Sequence, residues 1–199
     1  MKQSIYIILF CNFLIAGNTQ NQHTEIKGID QKYITKASNG NIYIKNARVY
    51  TEKSNNNGQV SIKSGSNTKK IILSNVKIRS RNISTKTNKS TDAILSIITN
   101  KNTDINIRNL DIDARNVKLK THSRELNTCA GALCIQSKNN NINIENLNIS
   151  SSSLNSEVYS HGKGSKCAGA LCIQGNESII NLHNVDILNS GTTLYNIEN

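Results

Sequence analysis

The chain has 199 residues and a formal net charge of +11, with 36% apolar residues, five cysteines and neither proline nor tryptophan. Its length fits one domain. The absence of proline suits uninterrupted strand ladders, and no run of residues has the apolar period of an amphipathic helix. Regular apolar alternation between the polar stretches argues against disorder, so composition and pattern together predict an all-β protein.

The N-terminus has the pattern of a secretory signal. Met1 and Lys2 are followed by an apolar stretch at 5–15, the small pair Ala16 and Gly17, and a polar run at 18–22. The apolar stretch is too short to cross a membrane, which needs about 20 residues. We therefore expect a signal peptide at 1–17, one mature domain at 18–199 without a transmembrane segment, and export to the medium or the outer surface.

A short pattern built around asparagine recurs along the chain. An apolar residue, any residue, Asn, an apolar residue, any residue, and Ile or Val occurs at Asn46, Asn75, Asn109, Asn146 and Asn184, which are 29, 34, 37 and 38 residues apart. Such periods are typical of a solenoid. Apolar residues alternate before and after each Asn, which predicts two short strands. Asn tolerates the left-handed conformation of a tight corner between them.

Stacked about 4.8 Å apart, these corners would align their amides in a hydrogen-bonded ladder. The sequence therefore predicts a right-handed parallel β-helix of about five coils with an Asn ladder and three strands in each coil. In the third coil the strands are expected at 92–100, 104–108 and 110–114, and in the fourth at 130–136, 141–145 and 147–150. The long segments after Ala114 and Ser150 are expected to be loops.

The octapeptide C-A-G-A-L-C-I-Q occurs at 129–136 and again at 167–174. Removal of Cys11 with the signal would leave Cys129, Cys134, Cys167 and Cys172, an even number that suits disulfides in an exported protein. Stacked copies would place Cys134 beside Cys172 and Cys129 beside Cys167, and pairing within each copy is also open. The C-x4-C spacing could alternatively hold zinc, but it favours disulfides, and we expect neither metal nor cofactor.

Positive charge is concentrated in the first half of the chain. Residues 17–100 contain 14 Lys and Arg against 4 Asp and Glu, whereas residues 101–199 contain 9 of each. The basic face predicted from outward strand positions and their neighbours consists of Lys45, Arg48, Lys69, Lys70, Lys77, Arg79 and Arg81. Such a face attracts polyanions, although lysines also simply discourage edge pairing of strands. We do not expect nucleic acid, because the chain is exported and has few aromatic residues for base stacking.

The pairing of a G-A-L element with a downstream apolar-x-Asn element resembles the repeats of the polymorphic outer-membrane protein family of chlamydial surface adhesins. The elements are 130–133 and 168–171, followed by 144–146 and 182–184. Ala replaces the first Gly of the family's G-G-A-I, and the Phe of its F-x-x-N is absent. The resemblance covers roughly the last 75 residues, and implies a β-helix and surface display.

Parallel β-helices of the pectin-lyase-like type also include pectate lyases and polygalacturonases, so fold does not decide function. Asp111, Asp113 and Arg115 fall on one outward face, where two carboxylates could share acid and base roles or bind calcium. The segment 102–104 resembles the N-T-D motif of polygalacturonases and His161 begins a partial match to G-H-G, but their D-D and R-I-K motifs are absent. A solvated polar face explains the same residues.

We therefore expect a secreted or surface-exposed, non-enzymatic, adhesin-like protein that binds an acidic polysaccharide or a host-cell surface. The alternative is a small polysaccharide lyase or glycoside hydrolase that uses Asp111, Asp113, Arg115 and His161. The segment 190–199 offers only a few apolar residues as a cap, so stacking of copies through an uncapped end is a further possibility.

Overall fold

A computed structural model describes residues 23–52, 59–100, 102–123, 127–160 and 165–188. The predicted signal peptide, His161 and the segment 190–199 considered as a cap lie outside these ranges. No helix among the described residues is long and apolar enough to cross a membrane.

The elements are β1 (Glu25–Lys27), a 3-10 turn (Gln31–Tyr33), β2 (Ile34–Lys36), β3 (Asn41–Lys45), β4 (Arg48–Glu52), β5 (Val60–Lys63), β6 (Lys70–Thr87), β7 (Thr91–Ile98), β8 (Asp104–Ser123), β9 (Thr128–Lys138), β10 (Asn141–Ser151), β11 (Leu154–Ser160), β12 (Lys166–Asn176) and β13 (Ile179–Leu188).

The strands form two sheets that wind around one core. One sheet has the order β1-β5-β7-β9-β12, and the other has the order β13-β10-β8-β6-β3-β2, with β11 and β4 joined to β8 and β6. All neighbours pair in parallel except β1 with β5 and β2 with β3. Because equivalent strands of successive repeats lie side by side, the chain is a parallel β-helix, as predicted.

Identical or similar apolar residues stack along the axis of this helix. Ile71, Ile105 and Ile142 are register neighbours on β6, β8 and β10, and all three are fully buried. Burying an aliphatic side chain of this size contributes about 1.5–3 kcal/mol before conformational entropy is subtracted. The alternation of the sequence therefore becomes a continuous aliphatic core.

The two longest strands, β6 and β8, each bend twice, and each of these bends is at an asparagine. In β8 the bends are at Asn109 (φ 54°) and Asn116 (φ 52°), and in β6 they are at Asn75 and Asn82. In the unit at 91–123 these bends separate a first side (104–108), a second side (110–115) and a third side (117–123). We use these names for the equivalent positions in every unit.

The third side corrects the prediction that loops follow Ala114 and Ser150. Residues 117–123 pair with β11 over seven residues, so both segments are strands. Their inward positions mix apolar residues such as Val117 and Leu119 with the buried polar Thr121 and Ser156. This mixture weakens the apolar alternation by which a strand is recognised in sequence.

The solenoid has about three complete turns, fewer than the five coils predicted. The turns with all sides among the described residues are 59–87, 91–123 and 128–160. The first repeat contributes β3 and β4, which pair in parallel with β6, and the antiparallel strands β1 and β2 end the two sheets on this side. Within the described residues, the fifth repeat contributes only β12 and β13.

Candidate functional site

The five asparagines of the sequence pattern form one hydrogen-bonded column. The Nδ2 atom of each donates to the Oδ1 atom of the preceding one, from Asn75 to Asn46 at 3.2 Å, and then through Asn109, Asn146 and Asn184 at 2.8, 2.9 and 3.0 Å. All five have a backbone φ angle between 52° and 56°. The column is exposed, and its role is to fix the corner and the register of each turn.

Two further amide ladders escaped the sequence analysis. Asn116 donates to Asn82 at 2.9 Å across the second corner. On the outer surface of the first side, Asn181 donates to Asn143 at 2.8 Å and Asn143 to Asn106 at 3.0 Å. Their 34-, 37- and 38-residue spacings match the repeat period, and this spacing is the signal by which they could have been found.

The octapeptide forms a sharp bend rather than a straight strand. The Cα atoms of Cys129 and Cys134 are 6.2 Å apart, whereas five residues of extended strand span about 17 Å. Cys129 bonds to Cys134 (S–S 2.02 Å), and Cys167 bonds to Cys172 (S–S 2.13 Å). Of the two pairings left open by the sequence, the structure therefore has the one within each copy.

The two copies stack in register, with Cys167 beside Cys129 and Cys172 beside Cys134. The four cysteines and Ala93 form a buried cluster separate from the main core. The Sγ atoms of Cys129, Cys134 and Cys172 all lie within 4.8 Å of one another. We call Cys129, Cys134, Cys167 and Cys172 together the sulfur cluster.

The other residues of the octapeptide have equally specific contacts. Gln136 Nε2 donates to Gln174 Oε1 at 2.8 Å, so the final residue of each copy forms a rung of a glutamine ladder. A Cβ atom on Gly131 would lie 2.1 Å from the carbonyl oxygen of Gly169, but one on Gly169 would have no atom nearer than 3.9 Å. The glycine of the first copy is thus needed for close stacking.

Asp92 is a buried carboxylate that the sequence analysis did not single out. Its Oδ2 atom accepts hydrogen bonds from Thr85 Oγ1 at 2.7 Å and from the Lys120 amide nitrogen at 2.8 Å, and its Oδ1 atom accepts from Gln59 Nε2. Burial raises the pKa of Asp92, against the lowering effect of these three donors. The Asp92 carboxylate thus joins the third side, which holds Thr85 and Lys120, to β7.

The predicted basic face is divided by the asparagine column. Arg48 and Lys77 are register neighbours on the second side, and Arg79 follows two residues after Lys77 on the same outer surface. Arg48, Lys77 and Arg79 are exposed, and Arg81 is half-buried, with its guanidinium carbon 6.0 Å from the centre of the Tyr50 ring. We call these four cations the second-side basic patch.

The remaining predicted cations lie around the first side. Lys45 ends β3 and Lys70 begins β6, and both occupy outward positions beside buried isoleucines and leucines. Lys69 is exposed immediately before β6, next to the turn of Gly40, whose carbonyl accepts a hydrogen bond from the Lys69 amide at 3.0 Å. These three lysines face a different direction from the second-side basic patch.

The alternative catalytic residues lie on the second side of the next turn. Asp111 and Asp113 alternate with buried Ile112 and face outward. Asp113 accepts a hydrogen bond from Arg115 Nε at 3.0 Å, and Asp111 accepts one from Asn148 Nδ2, also at 3.0 Å. Asp111 and Asp113 are the register neighbours of Lys77 and Arg79, so they border the second-side basic patch.

A charged and aromatic cluster on the third side was missed by the sequence analysis. Lys120 Nζ lies 3.1 Å from Glu157 Oε2 and 4.3 Å from the centre of the Tyr159 ring, which stacks on His122 at 4.5 Å. Hydrogen bonds to Glu157 and Tyr159 raise the pKa of Lys120. Burial alone would raise the pKa of Glu157, but donors on Lys120, Tyr159 and Asn155 lower it overall. The cluster fastens β11 to β8.

The fold and these surfaces define the chain as a parallel β-helix protein with an asparagine column, two disulfides and a divided basic face. Comparisons with protein-family models, with curated proteins and with solved structures find no match. The likeness to chlamydial adhesin repeats and to pectin-lyase-like enzymes therefore has no support beyond the shared architecture.

Proposed function

We propose that this protein is a secreted or surface-exposed, non-enzymatic β-helix that binds acidic polysaccharide through the second-side basic patch, Arg48, Lys77, Arg79 and Arg81. The observation that carries the proposal is the placement of Lys77, Arg79 and Arg81 at alternate outward positions of β6, with Arg48 beside Lys77 on β4. Cations fixed at regular spacing favour a ligand whose negative charges also repeat.

The cations of the patch take part in none of the ion pairs recorded among the described residues. Those ion pairs involve Lys27, Lys32, Arg108, Arg115 and Lys120. Asp111 and Asp113 lie on the bordering strand, where each already accepts a hydrogen bond from Asn148 or Arg115. Glu52, the register neighbour of Arg81, and the two bordering aspartates lower the local charge, but among the described residues none of these carboxylates forms a recorded ion pair with a cation of the patch. The charged groups of the patch can therefore pair with an external anion.

Tyr50 favours a sugar chain over other polyanions. It lies on the outer surface of β4 as the register neighbour of Arg79, and 55% of it is exposed. An exposed tyrosine ring offers an apolar face with a polar hydroxyl at its edge, and the CH-rich faces of sugar rings can pack against such a surface. Flanking guanidinium groups can pair with carboxylate or sulfate groups on the same sugar chain.

The resemblance of the G-A-L and apolar-x-Asn elements to adhesin repeats belongs to the same proposal. A surface adhesin must be exported, and the apolar stretch at 5–15 followed by Ala16 and Gly17 has the pattern of an export signal. Two disulfides also suit an oxidising exterior. In this account the protein holds its host or its own envelope through an acidic glycan.

The test is retention of the purified, oxidised chain on heparin, polygalacturonate and neutral dextran, with new reducing ends and unsaturated products measured in parallel. The account predicts retention on the acidic polymers only, without products. A triple variant, Arg48→Gln, Lys77→Gln and Arg79→Gln, should lose that retention. The matched control, Lys118→Gln, Lys138→Gln and Lys166→Gln, removes the same charge from later repeats and should be retained nearly as well as the native chain.

Two outcomes contradict the proposal. Equal loss of retention in both triple variants would mean that net charge, rather than the second-side basic patch, holds the polymer. Cleavage of any polymer would support the polysaccharide lyase or hydrolase instead, and loss of products in Asp111→Asn and Asp113→Asn would then assign the chemistry to those carboxylates.

A further inference from the structure

The sulfur cluster brings four cysteines from two repeats to one place. The first octapeptide bends so that Cys129 meets Cys134, and the second bends so that Cys167 meets Cys172. Parallel pairing over ten residues holds the two copies in register. The Cys172 sulfur lies within 4.8 Å of both sulfurs of the first disulfide and is bonded to the sulfur of Cys167. Three of the four sulfurs therefore lie close together between the two strands, and the fourth, on Cys167, is bonded to one of these three.

We propose that, when its two disulfides are reduced, this cluster binds one divalent soft metal ion, with Zn²⁺ as the natural ligand, through all four thiolates. A four-coordinate zinc site has Zn–S bonds of about 2.3 Å in a tetrahedron, which places its sulfurs about 3.8 Å apart. The Cys172 sulfur needs to approach the Cys129 and Cys134 sulfurs by only about 1 Å or less, and the Cys167 sulfur, released from Cys172 by reduction, has to turn toward the same point. Opening each disulfide supplies the remaining separation.

The surroundings suit a thiolate site better than a hard-ligand site. The three cysteines of the closest group are buried, and their cluster is completed by Ala93 rather than by a carboxylate. Cysteine thiolates select zinc and other soft metals over magnesium or calcium. β12 is the last strand of its sheet among the described residues, and Cys167 is the most exposed of the four at 6%, so reductant and metal approach from that side.

The chemistry balances with a dithiol or phosphine reductant. Each disulfide takes two electrons and two protons and becomes two thiols, while the reductant is oxidised. Binding of the divalent ion then displaces up to four protons from the four thiols, so the metal affinity of the reduced chain must rise with pH. The same four cysteines thus form two disulfides under oxidising conditions and a metal site under reducing conditions. This inference does not rest on polysaccharide binding.

The test uses the full chain with Cys11→Ser, reduced with a phosphine under nitrogen and titrated with Co²⁺ as a spectroscopic substitute for Zn²⁺. We expect tetrahedral cobalt–thiolate absorption that saturates at one ion per chain and is bleached by Zn²⁺. Cys134→Ser and Cys172→Ser, one from each repeat, should each weaken cobalt binding at least about ten-fold.

A second readout separates a folded site from thiols on an unfolded chain. Zinc that binds the folded state raises its midpoint of thermal unfolding, so the reduced chain should melt at higher temperature with Zn²⁺ than without it. The oxidised chain should show no change, because its sulfurs are bonded to one another. Four free thiols with no cobalt–thiolate absorption, or saturation at one ion per two chains, would overturn the proposal, as would zinc that lowers the melting temperature of the reduced chain.

Discussion

Asparagine adopts the left-handed backbone conformation at most of the corners described in this molecule. Among the described residues, ten non-glycine positions have positive φ, and nine of them are Asn. The left-handed conformation costs an ordinary L-residue about 1–2 kcal/mol, and Asn is the residue that reaches it most readily after Gly. Glycine would also fit these corners, but it has no side-chain amide with which to build a ladder.

Replacing Asn109 with Gly isolates the contribution of the ladder, because Gly keeps the left-handed corner. Asn109 donates to Asn75 and accepts from Asn146, so the variant loses two side-chain hydrogen bonds. At about 0.5–1 kcal/mol each for exposed bonds, urea unfolding should show a loss of about 1–2 kcal/mol. Asn184→Gly loses only its recorded bond to Asn146 and should cost about half as much. Equal losses in the two variants would contradict a contribution from each amide bond of the ladder.

The two glycines of the octapeptide differ in what an added methyl group would meet. Gly131→Ala drives a Cβ atom into the carbonyl oxygen of Gly169, so β9 and β12 must move apart. Overpacking of this kind costs about 1–3 kcal/mol, and we expect a lower midpoint of thermal unfolding. Gly169→Ala, the same substitution one repeat later, has space and should leave the midpoint nearly unchanged. Equal shifts in the two variants would contradict the stacking described.

Asp92 makes stability depend on pH. Its pKa is raised by burial, so the folded state binds a proton more readily than the unfolded chain does. The stability that this group contributes is therefore present in full below the unfolded pKa and is lost as pH rises through the folded pKa. Replacement with Asn should be neutral or stabilising at pH 7, because Oδ1 can accept from Thr85 and Lys120 while a reoriented Gln59 amide accepts from Nδ2.

This expectation is checked by thermal unfolding of the native chain and Asp92→Asn between pH 7 and pH 4. The advantage of the variant should shrink as pH falls, since the native carboxyl becomes protonated. Asp111→Asn, which removes an equal charge from the outer surface, is the control for net charge. A constant loss of stability in Asp92→Asn at every pH would show that the ionised carboxylate is needed for packing.

At the scale of the elements, the strands and corners that could be predicted are those where alternating apolar residues recur in each repeat of the chain. The alternation around Asn75 and Asn109 marks both strands and the corner between them. The second corner at Asn82 and Asn116 could not be recognised, because Ser153 occupies the equivalent position in the next turn. The octapeptide predicts a strand at 130–136, because its bend uses no residue with positive φ and therefore leaves no mark in the residue types.

The candidate site was predictable only in its composition. Outward positions of a strand can be read from alternation, which placed Arg48, Lys77 and Arg79 on an outer surface. Their separation from Lys45 depends on the corner angle at the asparagine column, which sequence does not specify. The partners of Asp92 lie 7, 28 and 33 residues away along the chain, so this network follows from stacking and from no local pattern.

Cysteine connectivity is the property of the octapeptide that can be measured most simply. Trypsin should release the peptides 125–138 and 167–199, because cleavable Lys and Arg residues separate the two copies. Pairing within each copy predicts two separate peptides under non-reducing conditions, each two hydrogens lighter than its reduced form by mass spectrometry. A single species joining both peptides would show pairing between the repeats and contradict the bends at 129–134 and 167–172.

At the scale of the whole molecule, one architecture carries different charges along its axis. The repeats at one end supply nearly all of the positive excess, whereas the later repeats are balanced. The antiparallel strands β1 and β2 end the two sheets at the basic end. At the other end of the described solenoid, β13 pairs only with β10 and leaves Ile179 and Leu188 about 60% exposed. A long-range field from the basic repeats would steer an acidic chain to the second-side basic patch.

The measurement that tests the central claim most directly is the salt dependence of binding to a uniform acidic polysaccharide, compared between the native chain and the Arg48→Gln, Lys77→Gln, Arg79→Gln variant. Cations that contact the polymer release its counterions, so the logarithm of the binding constant should fall steeply with the logarithm of salt concentration. We predict a clearly shallower slope for the variant and an unchanged slope for the Lys118→Gln, Lys138→Gln, Lys166→Gln control. Parallel slopes for the native chain and the first variant would show that the second-side basic patch does not contact the polymer.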